Sequence, residues 1–229
     1  MPIGPQVNPS PARRPERTTL QGRLVTLVPL DPLAHADSLY EATRGEAGDR
    51  LWTYLFDGPF HNRKAFDAYL QKLAASEDPL FFAIRGRALS RAVGYASLMR
   101  IEPAHRVIEV GNILFTPLLQ QTAGATEAMY LMARHIFDHL DYRRYEWKCN
   151  ALNQPSRRAA LRLGFTFEGI FRQHMIVKGR NRDSAWFSML DSEWPTRKAN
   201  FERWLDPANF AADGRQKMSL SKVNHVPGT

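Results

Sequence analysis

The sequence predicts an α+β (α/β) fold: a mixed, mostly antiparallel central sheet with helices on both faces. Three observations point there. Leu24, Thr26 and Val28 alternate with Val25 and Leu27, the two-residue period of a strand. Three strand candidates follow one another at residues 80–85, 92–101 and 106–115. Gly86 and Pro103 separate them, the punctuation of an antiparallel meander. Residues 106–151 then read strand, helix, strand, and a crossover helix places its two flanking strands parallel in one sheet.

Taken in order, the first strand covers residues 20–30. Asp31-Pro32 is a cap followed by proline at the first helical position, so a helix runs from Pro32 to about Ala42. Phe66, Tyr69, Leu70 and Leu73 recur at helical spacing and predict a second helix over residues 62–75. The meander follows. Residues 124–140 form an amphipathic helix with Met129, Met132, Ala133, Ile136, Phe137 and Leu140 on one face. Residues 144–151 read as a strand and 155–163 as a short helix stopped by Gly164. Strands are expected at 165–168, 171–177 and 184–190, and a last helix within 191–205.

The chain has 229 residues, 44% hydrophobic and 24% charged, a balance that allows one large domain with an ordinary core. Residues 1–18 hold five prolines and little apolar content and are expected as a disordered tail. Residues 19–207 read as one folded domain, and 208–229 as a C-terminal tail. No stretch approaches the ~20 apolar residues of a membrane helix, and the proline- and arginine-rich start lacks a signal peptide's apolar centre. The single cysteine, Cys149, excludes an internal disulfide framework and suits a reducing compartment, so the cytoplasm is the expected location. The net charge of +8 suits an anionic partner, but the basic residues are scattered, which argues against nucleic acid. Oligomeric state stays open, with a homodimer the commonest arrangement.

Two constellations carry chemistry. The first is the turn Gln120, Gln121, Thr122, Ala123, Gly124, Ala125, Thr126, set between a strand and a long helix. Free backbone N–H groups and the helix dipole at such a start attract anions, and small residues let a phosphate come close. It reads equally as a plain helix start rich in alanine. No Gly-Lys-Ser/Thr follows, so it is not the phosphate loop of nucleotide hydrolases. The second is Asn153-x-x-Ser156, then Leu163-Gly164-Phe165 and Glu168-Gly169. Asn153 is suited to cap the following helix, with Ser156 in its first turn.

Together these motifs resemble the GNAT acetyltransferase superfamily, in its branch of ribosomal-protein N-acetyltransferases. The resemblance spans roughly residues 19–194, including Leu20-Gln21-Gly22-Arg23-Leu24-Val25 and Gly179-Arg180-Asn181-Arg182-Asp183. It implies an acetyl-CoA-dependent N-acetyltransferase acting on a primary amine of a small molecule or a protein N-terminus, with no metal. It implies a cleft where the fourth and fifth predicted strands splay apart. The pantetheine arm would pair with the backbone near Ile113, Leu114 and Phe115. The pyrophosphate would sit on the amides of Gln120 to Thr126. Asn153 would contact the CoA arm, and Ser156 would protonate the leaving thiolate.

The sequence departs from the family in two places. The phosphate loop, usually Gln/Arg-x-x-Gly-x-Gly/Ala, fits in two registers. One starts at Gln121 and keeps Gly124 but ends in Thr126. The other starts at Gln120 and puts Ala123 in the glycine position. The second departure concerns the general base. The position comparable to the branch's glutamate lies near Met175, which accepts no proton. Glu109 and His174 are the remaining candidates. Glu109 is either that base or a strand carboxylate in the cleft wall, and His174 either a base or a solvent-facing strand histidine.

Three further features carry two readings each. His135 and His139 share a helical face with Asp138 beside them, which reads as a metal pair or a solvated face. Cys149 reads as a nucleophile or as a buried cleft cysteine. Trp52 and Tyr54, in an aromatic segment that borders the acceptor in the superfamily, read as substrate contacts or as core packing under a loop, and one or other is expected at the site. A non-catalytic acyl-CoA-binding module and a ribosome- or RNA-associated protein are the alternative functions.

Overall fold

The computed structural model describes residues Ile3 to Asn224. One eight-stranded sheet organises them, in the order β1-β2-β3-β4-β5-β6-β8-β7. The first expected strand divides into β1 (Leu20–Gln21) and β2 (Val25–Pro29), because Gly22 and Arg23 turn the chain back on itself. The expected fourth and fifth strands are therefore β5 (Val107–Phe115) and β6 (Arg144–Asn150). Between β2 and β5 lie β3 (Leu80–Gly86) and β4 (Arg91–Glu102), all antiparallel. The crossover helix α4 (Ala123–Arg134) joins β5 to β6, the one parallel pair. The strands expected at 165–168 and 171–177 are one bent strand, β7 (Thr166–Val177), with irregularities beside Gly169 and Gln173. It forms a hairpin with β8 (Arg180–Leu190), which pairs with β6.

Alternation along the strands builds two cores. On β3, Phe82 and Ile84 face one side with Leu27, Leu98 and Met132, while Phe81 and Ala83 face the other with Leu39, Phe66 and Leu70. The second side is covered by α1 (Pro32–Thr43) and α3 (Arg63–Ala75), capped by Asp31 and Asn62. A short helix, α2 (Gly45–Asp49), follows α1. The first side is covered by α4, α5 (Gln154–Arg162) and α6 (Trp194–Leu205). α4 is buried beyond the single face its pattern predicts, because α6 lies on its other side and stacks Trp194 on Tyr130 and Phe137. The helix expected to run to residue 140 ends in one π-helical turn, His135–His139, closed by Leu140 N–H on the His135 carbonyl.

Glu127 fixes the entry to this core. Buried on α4, it accepts the backbone N–H groups of Arg23, Leu24 and Val25 at 2.9, 2.6 and 2.8 Å. Gly22 is required there, since a Cβ would stand 2.5 Å from the Glu127 carboxylate.

Both expected tails need correction. Ala12 is buried, and its N–H bonds the Pro103 carbonyl while that of Arg13 bonds Leu140, so proline-rich composition did not prevent docking. The segment after residue 207 also returns to the domain. Leu220, on the short helix α7 (Leu220–Asn224), is fully buried, and Arg197 donates to the Asn224 carbonyl. Residues 1–2 of the expected disordered tail and 225–229 of the expected C-terminal tail fall outside the described residues.

Candidate active site

β5 and β6 pair over only four residues each, Val107 to Val110 against Arg144 to Trp147. Beyond that point they diverge. The cause lies in β5: Asn112 adopts φ 48°, a left-handed conformation that breaks the register with β4. The bulge is held by Asn112 Nδ2 donating to Ser97 Oγ, which donates to the Gly111 carbonyl, both at 3.0 Å. From Gly111 onward, β5 presents its backbone edge to a gap instead of to a strand. That gap is a cleft of 1220 Å³.

At one end lies the start of α4. Gln120, Gln121, Thr122, Ala123, Ala125 and Thr126 all line the cleft. Thr122 caps the helix by accepting the Ala125 N–H at 3.2 Å. Gly124 does not line the cleft. It faces inward, where a Cβ would come within 3.1 Å of Val25. Two arginines not singled out from the sequence, Arg158 and Arg162, join this end from α5. They sit one helical turn apart, and Arg162 donates to Thr126 Oγ1 at 2.9 Å. That i, i+4 spacing was the available signal. The C-terminal segment also reaches the cleft through Trp204, Phe210 and Gln216.

In the middle, Ile113, Leu114 and Phe115 line one wall and Asn153 and Ser156 the other. Asn153 caps α5, its Oδ1 accepting the Ser156 N–H at 3.2 Å. Trp147 Nε1 donates to Ser156 Oγ at 3.0 Å, so the serine proton is left to point elsewhere. Cys149 lines the cleft but is buried, and burial pushes its thiol pKa up, which keeps it protonated and poorly nucleophilic.

The other end holds Glu109 and His174. Glu109 is 4% exposed. Its Oε2 stands 2.9 Å from both Arg100 Nε and Lys148 Nζ, neither contact being aligned as a hydrogen bond. Lys148 also reaches Glu146 at 2.7 Å and lies 3.8 Å over the Trp186 ring. Glu146 in turn meets Arg144, which forks onto Glu168. Burial raises the Glu109 pKa above the ordinary carboxylate range, with Lys148 and Arg100 opposing it. Its Oε1 lies on the Gly111 side, toward the bulge.

His174 is half-buried rather than facing solvent, with Nδ1 2.8 Å from Ser184 Oγ. Burial lowers its pKa, and the positive charges of Arg100, Arg182 and Lys148 lower it further, so the ring is neutral at pH 7. Met175 lines the cleft beside it. Tyr54 lines the cleft as well, its hydroxyl donating to the Leu152 carbonyl at 3.3 Å. Trp52 does not. It is 1% exposed, with its ring packed among Phe60, Phe66 and Tyr69, because the segment turns inward there under α3. Leu51, Leu55 and Phe56 face the cleft in its place.

His135 and His139 lie away from the cleft. Asp138 beside them is occupied by Trp194 and Lys198, and among the described residues no group of three His, Cys, Asp or Glu could hold a metal ion. Among those residues, no helix is long and apolar enough to cross a membrane.

Residues 25–166 match the family model described as the acetyltransferase (GNAT) domain. The chain belongs to the GNAT acetyltransferase family. A GCN5-related N-acetyltransferase from Brucella melitensis is 49% identical, over 94% of this chain and 97% of that one, with a TM-score of 0.92. A probable GNAT-family acetyltransferase from Chromobacterium violaceum ATCC 12472 is 37% identical, over 85% of this chain and 99% of that one, with a TM-score of 0.77. Microcin C7 self-immunity acetyltransferase MccE, solved in complex with acetyl-CoA and AMP, shares the fold at 21% identity and a TM-score of 0.65, over 74% and 93% of the two chains. A comparison with curated proteins finds no match. This acetyltransferase is thus a GNAT-type N-acetyltransferase, and acetyl-CoA is the family's acetyl donor.

The fit to that donor is physical as well as familial. An elongated cofactor with phosphates at one end needs a long cleft with an anion-attracting end. Here that end combines the α4 N-terminus with Arg158 and Arg162. Burial depresses the Arg162 pKa, the mark of a cation held in a poorly solvated place.

Proposed function

We propose that this acetyltransferase passes the acetyl group directly from acetyl-CoA to the primary amine of a small molecule, both bound at once. The observation that carries this is the cleft itself: phosphate-ready cations at one end, a buried carboxylate of raised pKa at the other, and an unpaired strand edge between them. In this reading the pantetheine arm pairs with the β5 edge at Ile113 to Phe115, and Asn153 meets it from α5. The pyrophosphate takes the amides of the α4 start. The register beginning at Gln120 is supported by the inward-facing Gly124, which serves packing against β2.

The neutral amine attacks the thioester carbonyl, forming the C–N bond. Backbone N–H groups at the β5 bulge receive the developing oxyanion. The C–S bond then breaks, and the thiolate takes the Ser156 proton. Trp147, donating to Ser156 Oγ, stabilises the charge left on that oxygen. The proton lost by the amine goes to Glu109 through Oε1, directly or through one water. His174, neutral and held by Ser184, orients the amine. Holding both reactants together supplies much of the acceleration.

A small acceptor is favoured over a protein N-terminus by the roof of this end. Lys178 Nζ donates to the Trp52 carbonyl at 2.8 Å and Tyr54 reaches Leu152, tying the 50–56 segment to the rest of the domain across the cleft. The likeness to the ribosomal-protein branch lies in the cofactor motifs at residues 153–169, and the acceptor belongs to the site instead. A reduced, buried Cys149 suits work in the cytoplasm.

The test is acetyl-CoA turnover across a panel of small amines and N-terminal peptides, with Glu109→Gln alongside. Turnover on small amines, and a kcat for Glu109→Gln lower by about 10²- to 10³-fold with unchanged circular dichroism, is the expected result. Full activity of Glu109→Gln would remove the base. Acetyl-CoA binding with no turnover on any amine would favour a binding module.

A further inference from the structure

Arg182 is a buried cation that the reaction just described does not use. It is 8% exposed and lines the acceptor end of the cleft from β8. Its Nε donates to Ser184 Oγ at 3.2 Å, and its guanidinium lies 5.3 Å from the centre of the Phe56 ring. The two terminal nitrogens have no protein acceptor, and among the described residues no carboxylate stands within ion-pair reach. The adjacent Asp183 does not help. It points to the opposite face of β8 and takes the Gln173 N–H and Asn181.

The neighbourhood sharpens the imbalance. Arg100, Lys148 and Arg144 share the carboxylates of Glu109, Glu146 and Glu168. Adding Arg182 makes four cations to three carboxylates, and the unmatched charge is the one whose fork opens onto the cleft. A buried guanidinium without a counter-ion is costly, and one ligand carboxylate or phosphate would relieve that cost while matching the fork in two parallel hydrogen bonds. Phe56, Tyr54, Leu55 and Met175 surround the same space with apolar and aromatic surface.

We propose that the acceptor is a small amine carrying its own carboxylate or phosphate on an apolar or aromatic body, and that Arg182 binds that anion. The inference rests on the direct-transfer reading above and adds the acceptor's chemical class. Ser184 links the two parts of the site: it accepts from Arg182 and meets His174 at 2.8 Å, so anion binding and the orientation of the imidazole are set by one hydroxyl. Arg182 is a specificity residue here, with no part in proton transfer.

The experiment compares kcat/KM for phenylalanine, its aminophosphonate analogue, phenylalaninamide, phenethylamine and O-phosphoserine. The enzymes are wild type, Arg182→Met, which keeps the buried volume, and Arg182→Lys, which keeps the charge but loses the fork. Wild type is expected to favour anionic acceptors over their neutral counterparts by about 100-fold, through KM for the acceptor and not for acetyl-CoA. In Arg182→Met the ratio falls to near one, and Arg182→Lys lies between. Phenylalanine against its phosphonate tells which anion is taken. Equal use of charged and neutral acceptors by wild type, or a preference that survives Arg182→Met, overturns the proposal. If acetyl-CoA binds but nothing is acetylated, the direct-transfer reading fails and calorimetry on the CoA-loaded protein decides this one. Binding of anionic amines lost in Arg182→Met then supports it, and no such binding refutes it.

Discussion

Replacing Glu127 should unfasten the first strands from the domain. Its carboxylate gathers three backbone donors more than a hundred residues away, with Oε1 on Arg23 and Oε2 on both Leu24 and Val25. A hydrogen bond to a charged group contributes about 1.5–3 kcal/mol, and the full value suits only the buried Val25 N–H. The other two are partly exposed and can turn to water, so Glu127→Ala should cost about 3–5 kcal/mol. Glu127→Gln can keep its oxygen on Leu24 and Val25 but sets its NH2 donor against the Arg23 N–H donor, so that one part-exposed bond is lost to water, which predicts a smaller loss of about 1–2 kcal/mol. Chemical denaturation at constant slope measures both values. Because Thr126 next to it lines the cleft, KM for acetyl-CoA should rise in both variants. A Glu127→Ala destabilisation below about 1 kcal/mol would refute the claim that this carboxylate, and not general packing, holds the β1–β2 turn.

Other outcomes follow from the same structure. Glu109 must be ionised to accept a proton and burial raises its pKa, so kcat/KM should fall as pH drops through a value above the ordinary carboxylate range, with that limb absent in Glu109→Gln. A raised carboxylate pKa also means that its contribution to stability is present at low pH and lost as pH rises through the folded value. His135 behaves oppositely: burial first, then His139, Arg13 and Arg134, pushes its pKa down to about 4. Its contribution is complete above the unfolded value near 6.5 and lost as pH falls toward about 4, so unfolding midpoints measured from pH 7.5 to 4.5 should fall less steeply in His135→Leu. Leu220→Ala should cost about 2–5 kcal/mol in denaturant titrations, and a negligible effect would return that segment to the status of a tail.

What the sequence showed depended on how local each cause was. Alternation at Leu24 to Val28, the Asp31-Pro32 helix start and the Gly164 stop, which adopts φ 93°, all act within a few residues and were legible. The same holds for Asn153 and Ser156, whose cap is an i, i+3 contact. Trp52 misled because an aromatic residue near a site looks the same whether it faces the site or the core. Its ring went under α3, while Tyr54, two residues on, reached the cleft. Long-range causes left no local mark. The Glu127 clamp, the docking of Ala12 beside Pro103 and the burial of Leu220 each join segments distant in sequence. Arg182 looks in sequence like any arginine of a polar stretch, since its missing counter-ion is a property of the surroundings.

The four-residue pairing of β5 with β6 has a mechanical consequence. On one side of that seam the sheet is an antiparallel meander, β1 to β5; on the other, β6 pairs antiparallel with β8, which forms the hairpin with the edge strand β7. Within the sheet only four residue pairs join the two halves, which makes this seam its narrowest ladder, while the common core, the crossover helix and the Lys178–Trp52 and Tyr54–Leu152 contacts hold the halves together around it. The groups that would act on the substrates are divided between them, with the base Glu109 on one half and the acid Ser156, the orienting His174 and the anion-binding Arg182 on the other. The width of the seam therefore sets the distance between base, acid and anion site together, and a molecule lying along the open edge of β5 would act as the missing rungs of the ladder, bracing the two halves at the spacing the chemistry needs.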